Sequence, residues 1–390
     1  MASIERETVA DRHAWIEEGA HPVAPGVHRI PLPLPSDGLR AVNVYAIEAS
    51  HGLVLIDSGW ALANALDQLE RSLAAIGAGL PDVRQFLVTH LHRDHYTQAI
   101  AIRHLLGTPV SLGAEEKHSI DRLLSSQYRP LGAQLTMLES AGAAAVADRL
   151  ATITIKDVAG LDAAAPQVSS DADHGNRRLP PGSSFAAAFG YEAPDEWIAS
   201  GQEFDLGTRT LTAINTPGHT RGHVVFADAA AGLLFAGDHV LPHITPSIGF
   251  EEAPSEMPLR DYLQSLGVVR ALPDMRLLPA HGPVSPSTHA RVDELAEHHA
   301  SRLQAMADVL SGTELTGYEV ALAIPWTSRQ RKLAEFDVMN QMLAIGETMY
   351  HLDLLVAQSI AVSHTGPDGV RRYRLAAFGQ LTATYGRRTL

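Results

Sequence analysis

The sequence predicts an α/β protein, a sandwich of sheets and helices followed by a smaller helix–hairpin unit. Three observations lead there. Apolar segments run in the order strand, strand, strand, helix, strand, helix over the first 112 residues, an order that layers helices on sheets. Between about residues 114 and 202 helical stretches and a small-residue, polar run interrupt the strands, which then resume. After residue 287 the pattern changes to helix, helix, helix, hairpin, the order of a winged helix-turn-helix. A chain of 390 residues fits two domains at roughly 100–200 residues each, and 45% hydrophobic residues with 19% charged can bury a sizeable core.

A polar arm of about 25 residues opens the chain. It lacks the apolar stretch of a secretory signal, and no apolar run reaches the roughly 18 residues of a membrane span, so a cytoplasmic protein with no membrane contact is expected. Residues 27–34, 41–48 and 53–56 read as strands joined through Pro35-Ser36-Asp37-Gly38 and Ser50-His51-Gly52, because turn residues punctuate β-rich apolar runs. Leu62, Leu66, Leu69, Leu73 and Ile76 recur at helical spacing and predict the first helix. Residues 83–88 form a strand that runs into a histidine motif, and a helix over 97–106 and a strand over 110–112 follow. In the interruption, 115–126 and 131–151 read as helical and 163–176 as a loop-like run; an insertion this long is usually a lid or binding element. Strands are expected at 210–214, 224–227, 233–236 and 275–278. In the terminal unit helices are expected over 292–306, 318–324 and 338–357, then strands at 359–363 and 370–375 flanking the turn His364-Thr365-Gly366-Pro367-Asp368-Gly369.

Chemistry concentrates in His90-Leu91-His92-Arg93-Asp94-His95. As the chain leaves a strand, His90 and His92 project to the same side and can reach one metal ion. Where it turns toward a helix, Asp94 and His95 can point to a second. Imidazole and carboxylate at this density suit Zn²⁺ first, with Mn²⁺ or Fe as alternatives. Three more segments, Thr216-Pro217-Gly218-His219, Gly237-Asp238-His239 and Pro279-Ala280-His281-Gly282, each end a predicted strand. Each places a ligand-type side chain beside a glycine that lets backbone pass close. The chain has 20 His and no Cys, which excludes disulfides, thiolate zinc sites and cysteine nucleophiles.

Taken in order, Asp57, the His90–His95 motif, His219, Asp238 and His281 resemble the hallmark motifs of the metallo-β-lactamase superfamily, over roughly residues 26–285. The resemblance implies an αββα sandwich in a catalytic domain over 26–289, with a helical insertion at about 114–202, behind an N-terminal arm over 1–25. Residues 290–390 are then a C-terminal winged-helix-like domain. By the same resemblance, His90, His92 and His219 would hold a first metal, Asp94, His95 and His281 a second, and Asp238 would bridge both. Asp57 would hydrogen-bond the ligand loop and fix ligand orientation. The missing Cys sets aside the lactamases with a thiolate ligand, and the intact ligand set departs from the flavodiiron and persulfide dioxygenase branches. The ending Pro279-Ala280-His281-Gly282-Pro283 is similar to the glyoxalase II-like branch of thioesterases and β-lactamase-like endoribonucleases. The implied activity is binuclear hydrolysis of an acyl thioester or ester by a hydroxide bridging two divalent metal ions, with Asp94 as the catalytic group that orients it and takes its proton. A lactonase or other carboxylic-ester hydrolase is the alternative, then a metal-dependent endoribonuclease, then a winged-helix regulator.

Tyr96 and His243 are candidates for substrate contact, against packing for Tyr96 and a loop role for His243. His223 is expected to bond locally and His239 to point away from Asp238, since an extended chain alternates. His104, His118, His298 and His299 read as surface or core residues. The methionines of the last helix read as core, with lining of an acyl channel as the lesser reading. Nucleic acid is not expected as a partner: the net charge is −14, and residues 291–390 hold ten basic residues against eleven acids, whereas phosphate binding needs the opposite sign. Arg371-Arg372-Tyr373-Arg374 is a basic cluster on the hairpin. The terminal unit is assigned to packing, substrate covering or formation of a homodimer, and the partner to a small-molecule substrate.

Overall fold

The computed structural model describes residues 11–35, 38–126, 128–152, 190–327 and 330–376. The polar run over 163–176, Arg329, Arg387 and Arg388 lie outside them.

Strands β1 (His21–Ala24), β2 (Val27–Pro33), β3 (Ala41–Ala49), β4 (Gly52–Ile56), β5 (Val83–Val88), β6 (Val110–Gly113) and β7 (Glu196–Ile198) form one sheet in chain order. Its first four strands pair antiparallel and its last four parallel. Parallel neighbours need crossovers, supplied by α1 (Ala63–Ala75) between β4 and β5 and α2 (Arg93–Leu106) between β5 and β6. The insertion contributes α3 (Lys117–Leu123), α4 (Gly132–Ser140) and α5 (Ala144–Thr152). A second sheet holds β8 (Glu203–Asp205), β9 (Thr210–Asn215), β10 (Val224–Asp228), β11 (Leu233–Gly237) and β12 (Arg276–Pro279), in the order β12-β11-β10-β9-β8. Here α6 (Pro258–Ala271) is the crossover between parallel β11 and β12.

Three cores make four layers. Tyr45, Ile47 and Ile56 of the first sheet meet Phe226 and Phe235 of the second, with Tyr45 and Phe235 edge to face at 5.4 Å. On the outer side of the first sheet, Val44 and Leu55 pack under Leu69 and Leu73 of α1 and Ile100 of α2. On the outer side of the second, Leu234 and Leu277 pack under Leu266 of α6 and Leu295 of α7 (Thr288–Val309). Each such apolar side chain contributes about 1.5–3 kcal/mol on burial. The order helix, sheet, sheet, helix is the αββα sandwich anticipated from the motifs.

The C-terminal elements are β13 (Leu315–Thr316), α8 (Gly317–Ala323), α9 (Val338–Ala357), β14 (Ala361–Thr365) and β15 (Arg371–Leu375). β14 and β15 are the hairpin, and β13 adds to β15 to make a three-stranded sheet. Their core takes Leu138, Val146 and Leu150 from the insertion together with Met306, Ile345, Leu352 and Tyr373. α7, roughly 33 Å long at 1.5 Å per residue, runs between two cores: Val292 and Leu295 pack on the sandwich, Met306 and Ala307 in the C-terminal core. Among the described residues no helix is long and apolar enough to cross a membrane.

The elements depart from the sequence reading in several places, among them the first hairpin strand, which lies at Ala361–Thr365 and not 359–363. α2 begins at Arg93, not 97, because His92 takes the extended backbone of an N-cap and Asp94 favours the first turn through the helix dipole. The helix expected over 131–151 breaks into α4 and α5 at Gly142, which has φ 80°. β1, β7 and β8 have three or four residues each, too few to display a period. α6 was not anticipated although Pro258 at its start and buried Leu259, Tyr262, Leu266 and Val269 carry the signals of a helix N-terminus and an amphipathic face.

Candidate metal centre

Four strand ends converge on one edge of the sandwich. β5 ends in Thr89-His90, β9 in Thr216-Pro217-Gly218-His219, β11 in Gly237-Asp238 and β12 in Ala280-His281. Gly218, at φ 136°, lies so close to Tyr262 that a Cβ would overlap the Tyr262 Cβ and backbone; this close approach seats the His219 loop on α6.

The structure brings all seven expected ligands together. His90 Nε2, His92 Nδ1 and His219 Nε2 form a triangle with sides of 3.0, 3.1 and 3.2 Å. Beside it, Asp94 Oδ2 lies 3.6 Å from His95 Nε2 and 3.4 Å from His281 Nε2. Asp238 stands between the two groups, with Oδ2 3.5 Å from His219 Nε2 and Oδ1 3.4 Å from His281 Nε2 and 3.7 Å from His95 Nε2. Three overlapping sets, His90/His92/His219, His90/His95/Asp238 and Asp94/His95/His281, could each hold a metal ion. His95 Nε2, His281 Nε2 and Asp238 Oδ1 are buried with no hydrogen-bond partner. Buried polar atoms are rarely left so, and nitrogen and carboxylate donors aimed at shared points fit divalent cations.

The other nitrogen of every ligand histidine is taken, which fixes the tautomer. His92 Nε2 donates to the Phe250 carbonyl at 2.7 Å, His219 Nδ1 to Ser247 at 2.7 Å and His281 Nδ1 to Ala41 at 2.8 Å. His95 Nδ1 donates to Asp57 Oδ2 at 2.9 Å. His90 Nδ1 donates to Thr89 Oγ1 at 3.0 Å, and that hydroxyl and the Thr89 amide both donate to Asp57 Oδ1. The lone pairs left over, Nε2 in four rings and Nδ1 in His92, are those that face the centre; partners of this kind orient ligands and raise their basicity. Asp57 therefore sits behind His95 and His90.

Electrostatics divides the cluster. Burial, then the neighbouring imidazoles, hold His90 far below its ordinary range and bring His219 down to about 3, so both are neutral and ready to bind. Burial alone would lower His95 as well, but Asp94, Asp57 and Asp238 outweigh it and raise His95 to about 10. His281 is raised against burial by Asp238 and Asp94. Asp94, despite its burial, is held well below the usual carboxylate range by His95 and His281.

Several supporting residues carried no sequence signal. Thr89, Ser247 and Phe250 act through backbone or hydroxyl groups whose partners are distant in sequence. His223 bonds locally, as expected: its Nδ1 pairs with Thr216 Oγ1 at 2.9 Å and its Nε2 accepts the Asp238 amide at 3.2 Å, which holds the Asp238 backbone in place. Two buried carboxyls stand behind the ligand loops. Glu116 accepts from Thr220 Oγ1 at 2.5 Å and the Leu91 amide at 3.4 Å, and Glu251 from the Arg221 amide at 2.5 Å and Ser119 Oγ at 2.6 Å.

The substrate candidates fare differently. Tyr96 is fully buried and its hydroxyl donates to the Glu192 carbonyl at 2.8 Å, so the expectation of a substrate contact is corrected to a packing role. His243 is exposed, its ring carbon Cδ2 4.0 Å from where a Cβ on Gly282 would lie, next to His281. His239 turns to Tyr262, ring centroids 5.2 Å apart. His104 and His118 pair with Glu192 and Glu115 near the surface. His299 is buried against His351.

With this geometry in hand, comparison with known proteins is direct. A family model described as the metallo-beta-lactamase superfamily matches residues 37–281. The chain is 23% identical to a probable metallo-hydrolase, YqjP, of Bacillus subtilis over 355 residues, which cover 86% of this chain and 93% of that one. It is 33% identical over 138 residues to a beta-lactamase-like protein 2 homolog of Caenorhabditis elegans, covering 34% of this chain and 44% of the relative. Among solved structures, a metallo-beta-lactamase family protein of Thermus thermophilus superposes with a TM-score of 0.69 at 24% identity, over 91% of this chain and 100% of that one. A beta-lactamase domain protein of Burkholderia ambifaria gives 0.65 at 24% identity, over 92% and 93%. At these identities the two structures speak for the fold.

Proposed function

The chain belongs to the metallo-β-lactamase superfamily, and from that premise we propose that it is a binuclear hydrolase of acyl thioesters or esters. Asp238 carries the reading: one carboxylate turns Oδ2 to the three-histidine group and Oδ1 to the His95 and His281 group, the placement a bridging ligand needs. In this reading His90, His92 and His219 hold one ion, Asp94, His95 and His281 the other, and Asp57 orients the ring of His95. Two divalent ions, Zn²⁺ before Mn²⁺ or Fe, would supply Lewis acidity toward an attacking water and toward the substrate carbonyl oxygen. Asp94 directs Oδ2 at His95 and His281, which leaves Oδ1 to accept the proton of that water.

A small molecule is the better substrate class than RNA or DNA because of what the C-terminal unit does with its charges. A recognition helix must be exposed to enter a groove, whereas eleven of the twenty residues of α9 are buried. Its acids are spent on ion pairs, Glu347 with Arg302 at 3.5 Å and Asp353 with Arg371 at 2.5 Å. On the hairpin Arg372 pairs with Asp368 at 2.6 Å, so two of the three arginines of the basic cluster are neutralised within the chain.

The test sets purified protein, with its metal content measured, against a panel: thiol release from acyl thioesters, ring opening of lactones, and cleavage of single-stranded RNA. Thiol or alcohol release that falls by about two or more orders of magnitude in His92→Ala, together with weakened metal binding, is the expected result. Absence of stoichiometric metal, or full hydrolysis in His92→Ala, overturns the proposal. Lactone opening alone transfers it to the lactonase alternative, RNA cleavage to the endoribonuclease, and DNA retention at moderate salt to the regulator.

A further inference from the structure

The cluster has one side open to solvent. His90, His95, His219, Asp238 and His281 are buried, while His92 and Asp94 are half-buried; the Asp94 side chain keeps 18% of its surface, against 0–3% for His95, His219 and His281. The opening is thus the first turn of α2, and Arg93 stands on it. Its guanidinium carbon lies 5.9 Å from the centre of the Trp60 ring, and both residues are half-buried. The Tyr191 hydroxyl hydrogen-bonds with Arg93 and also feels the charge of Asp94. Tyr191 also stacks on buried Tyr96, ring centroids 6.4 Å apart, which holds it in place. Burial raises the Tyr191 phenol, with Arg93 opposing, so it stays a neutral donor.

Arg93 differs from the other half-buried arginines; buried Arg29 also lacks a carboxylate among the described residues but is met by Asn43 Oδ1 at 2.9 Å and the Trp15 carbonyl. Arg103, Arg209, Arg291, Arg302 and Arg371 each have a carboxylate within 3.5 Å. Among the described residues Arg93 has none within 4 Å, although the chain carries a net charge of −14. The nearby acids are engaged elsewhere: Asp94 turns to His95 and His281, and Glu252 is met by Tyr128 and Arg122. A partly desolvated cation without a counter-charge is unfavourable until an anion arrives. A planar guanidinium flanked by a phenol and an indole matches a carboxylate or phosphate group, which it can bind in two-point fashion.

We propose that Arg93, seated on Trp60 and joined by Tyr191, forms an anion subsite that receives a carboxylate or phosphate of the substrate and makes the enzyme prefer acyl esters or thioesters bearing a negative charge. The proposal rests on the cluster being a hydrolytic centre. Two kinds of measurement keep the two ideas separable. The first is binding to metal-depleted protein, where chelation by bound ions cannot contribute: succinate, inorganic phosphate and neutral succinamide are titrated while tryptophan emission is followed. Succinate or phosphate, and not succinamide, should perturb the emission, with Trp60→Phe removing the signal. Arg93→Met should weaken anion binding by about tenfold or more, and Arg93→Lys should retain part of it. The second is the ratio of kcat/KM for succinyl over butyryl thioesters, and for thioesters of a carboxylated over an uncharged thiol. Whichever ratio reports the subsite, acyl side or leaving-group side, should fall about tenfold or more in Arg93→Met at equal metal content. Equal binding of succinate and succinamide, or both ratios preserved in Arg93→Met, overturns the subsite. Anion binding that depends on Arg93 in a protein that hydrolyses no ester or thioester keeps the subsite and removes the hydrolase.

Discussion

Replacing Asp57 by Asn isolates the role of one carboxylate without disturbing the backbone. Asp57 has φ 59°, a left-handed conformation that Asn adopts at least as readily as Asp, and the two side chains have the same shape. Three donors converge on the carboxylate: the Thr89 amide at 2.8 Å, the Thr89 hydroxyl at 2.9 Å and His95 Nδ1 at 2.9 Å. Asn presents one acceptor oxygen and one donor. If its NH₂ faces His95, then Nδ1 must become the acceptor and the proton moves to Nε2, the atom that faces Asp94 and Asp238. If the NH₂ faces Thr89, a buried amide loses its partner, at a cost of about 1–3 kcal/mol. The first arrangement blocks the ligand atom of His95, and losses of such supporting partners weaken metal binding by about 10–100-fold, or about 1.4–2.7 kcal/mol. On the proposal of two bound ions, competition against a graded series of chelators should therefore show one of the two equivalents weakened by that amount. The equivalent held by His90, His92 and His219 should move less, because Thr89 still supports His90. Wild-type affinity at both sites would refute the tautomer argument. Equal weakening at both would assign Asp57 to holding the whole loop.

Three further outcomes follow from other parts of the structure. Gly218→Ala drives a Cβ into the Tyr262 Cβ and backbone at φ 136°; strain and overpacking together should cost about 2–5 kcal/mol, read as a lowered denaturation midpoint with reduced metal content, and an unchanged midpoint contradicts it. Ile345→Ala in the C-terminal core should cost about 2–5 kcal/mol; because α7 belongs to both cores, unfolding should stay a single transition, and a separate early transition would show the two cores to be independent. The buried pair His299 and His351, 3.1 Å apart between α7 and α9, gives a pH dependence. Burial, then mutual repulsion, holds His299 far below its ordinary range, and burial brings His351 to about 3 with Arg302 and His298 acting in the same direction. Tyr262 faces the pair from α6, and Glu347 packs nearby on α9 against Arg302. The unfolded chain takes up protons below pH about 6.5 that the folded pair refuses, so stability is complete above that pH and falls on acidification toward pH 3, by about 1.4 kcal/mol per pH unit for each histidine. Replacing both by Phe should make the acid limb of a stability–pH curve shallower, and an unaltered slope would refute the assignment.

What could be read in the sequence follows from how local each signal is. The candidate ligands were legible because four donor residues crowd into the six positions 90–95, and because the other three each follow a strand beside a glycine, as Gly218 precedes His219, Gly237 precedes Asp238 and Gly282 follows His281. Long strands and amphipathic helices were legible for the same reason: β3, α1 and α9 repeat their apolar pattern several times. β7, with three residues, repeats nothing, and its place comes only from pairing with β6. The partners of the ligands were illegible in principle. Phe250 supports His92 across 158 residues and Ser247 supports His219 across 28, each through a carbonyl that every residue possesses. For Tyr96 the sequence left substrate contact and packing both open, because adjacency to a ligand says nothing about direction; on the first turns of α2 its ring is buried in the core between the first sheet and its helices.

The carbonyls of Ser247 and Phe250 have a consequence for how the insertion and the C-terminal unit relate to the centre. The loop that carries them is held from the far side: Tyr350 of α9 donates to the Gly249 carbonyl at 3.3 Å, Gln134 of α4 to the Glu251 carbonyl at 3.2 Å, and Phe250 packs against the C-terminal core. The same loop returns Glu251 to the Arg221 amide, two residues beyond His219. Two of the three histidines of the first ligand triangle therefore take their orientation from a loop whose other face is insertion and C-terminal helix. Hydrogen bonds of this kind fix ring orientation and ligand basicity, and a shift of the loop would rotate His92 and His219 together. The C-terminal unit thus acts on the centre by support at a distance, a role that its internally neutralised charges and buried α9 leave intact and that groove binding by α9 would disrupt. It follows that shortening α9 should loosen the three-histidine site before it affects the Asp94, His95 and His281 site, whose supports come from Asp57 and Ala41 on the first sheet.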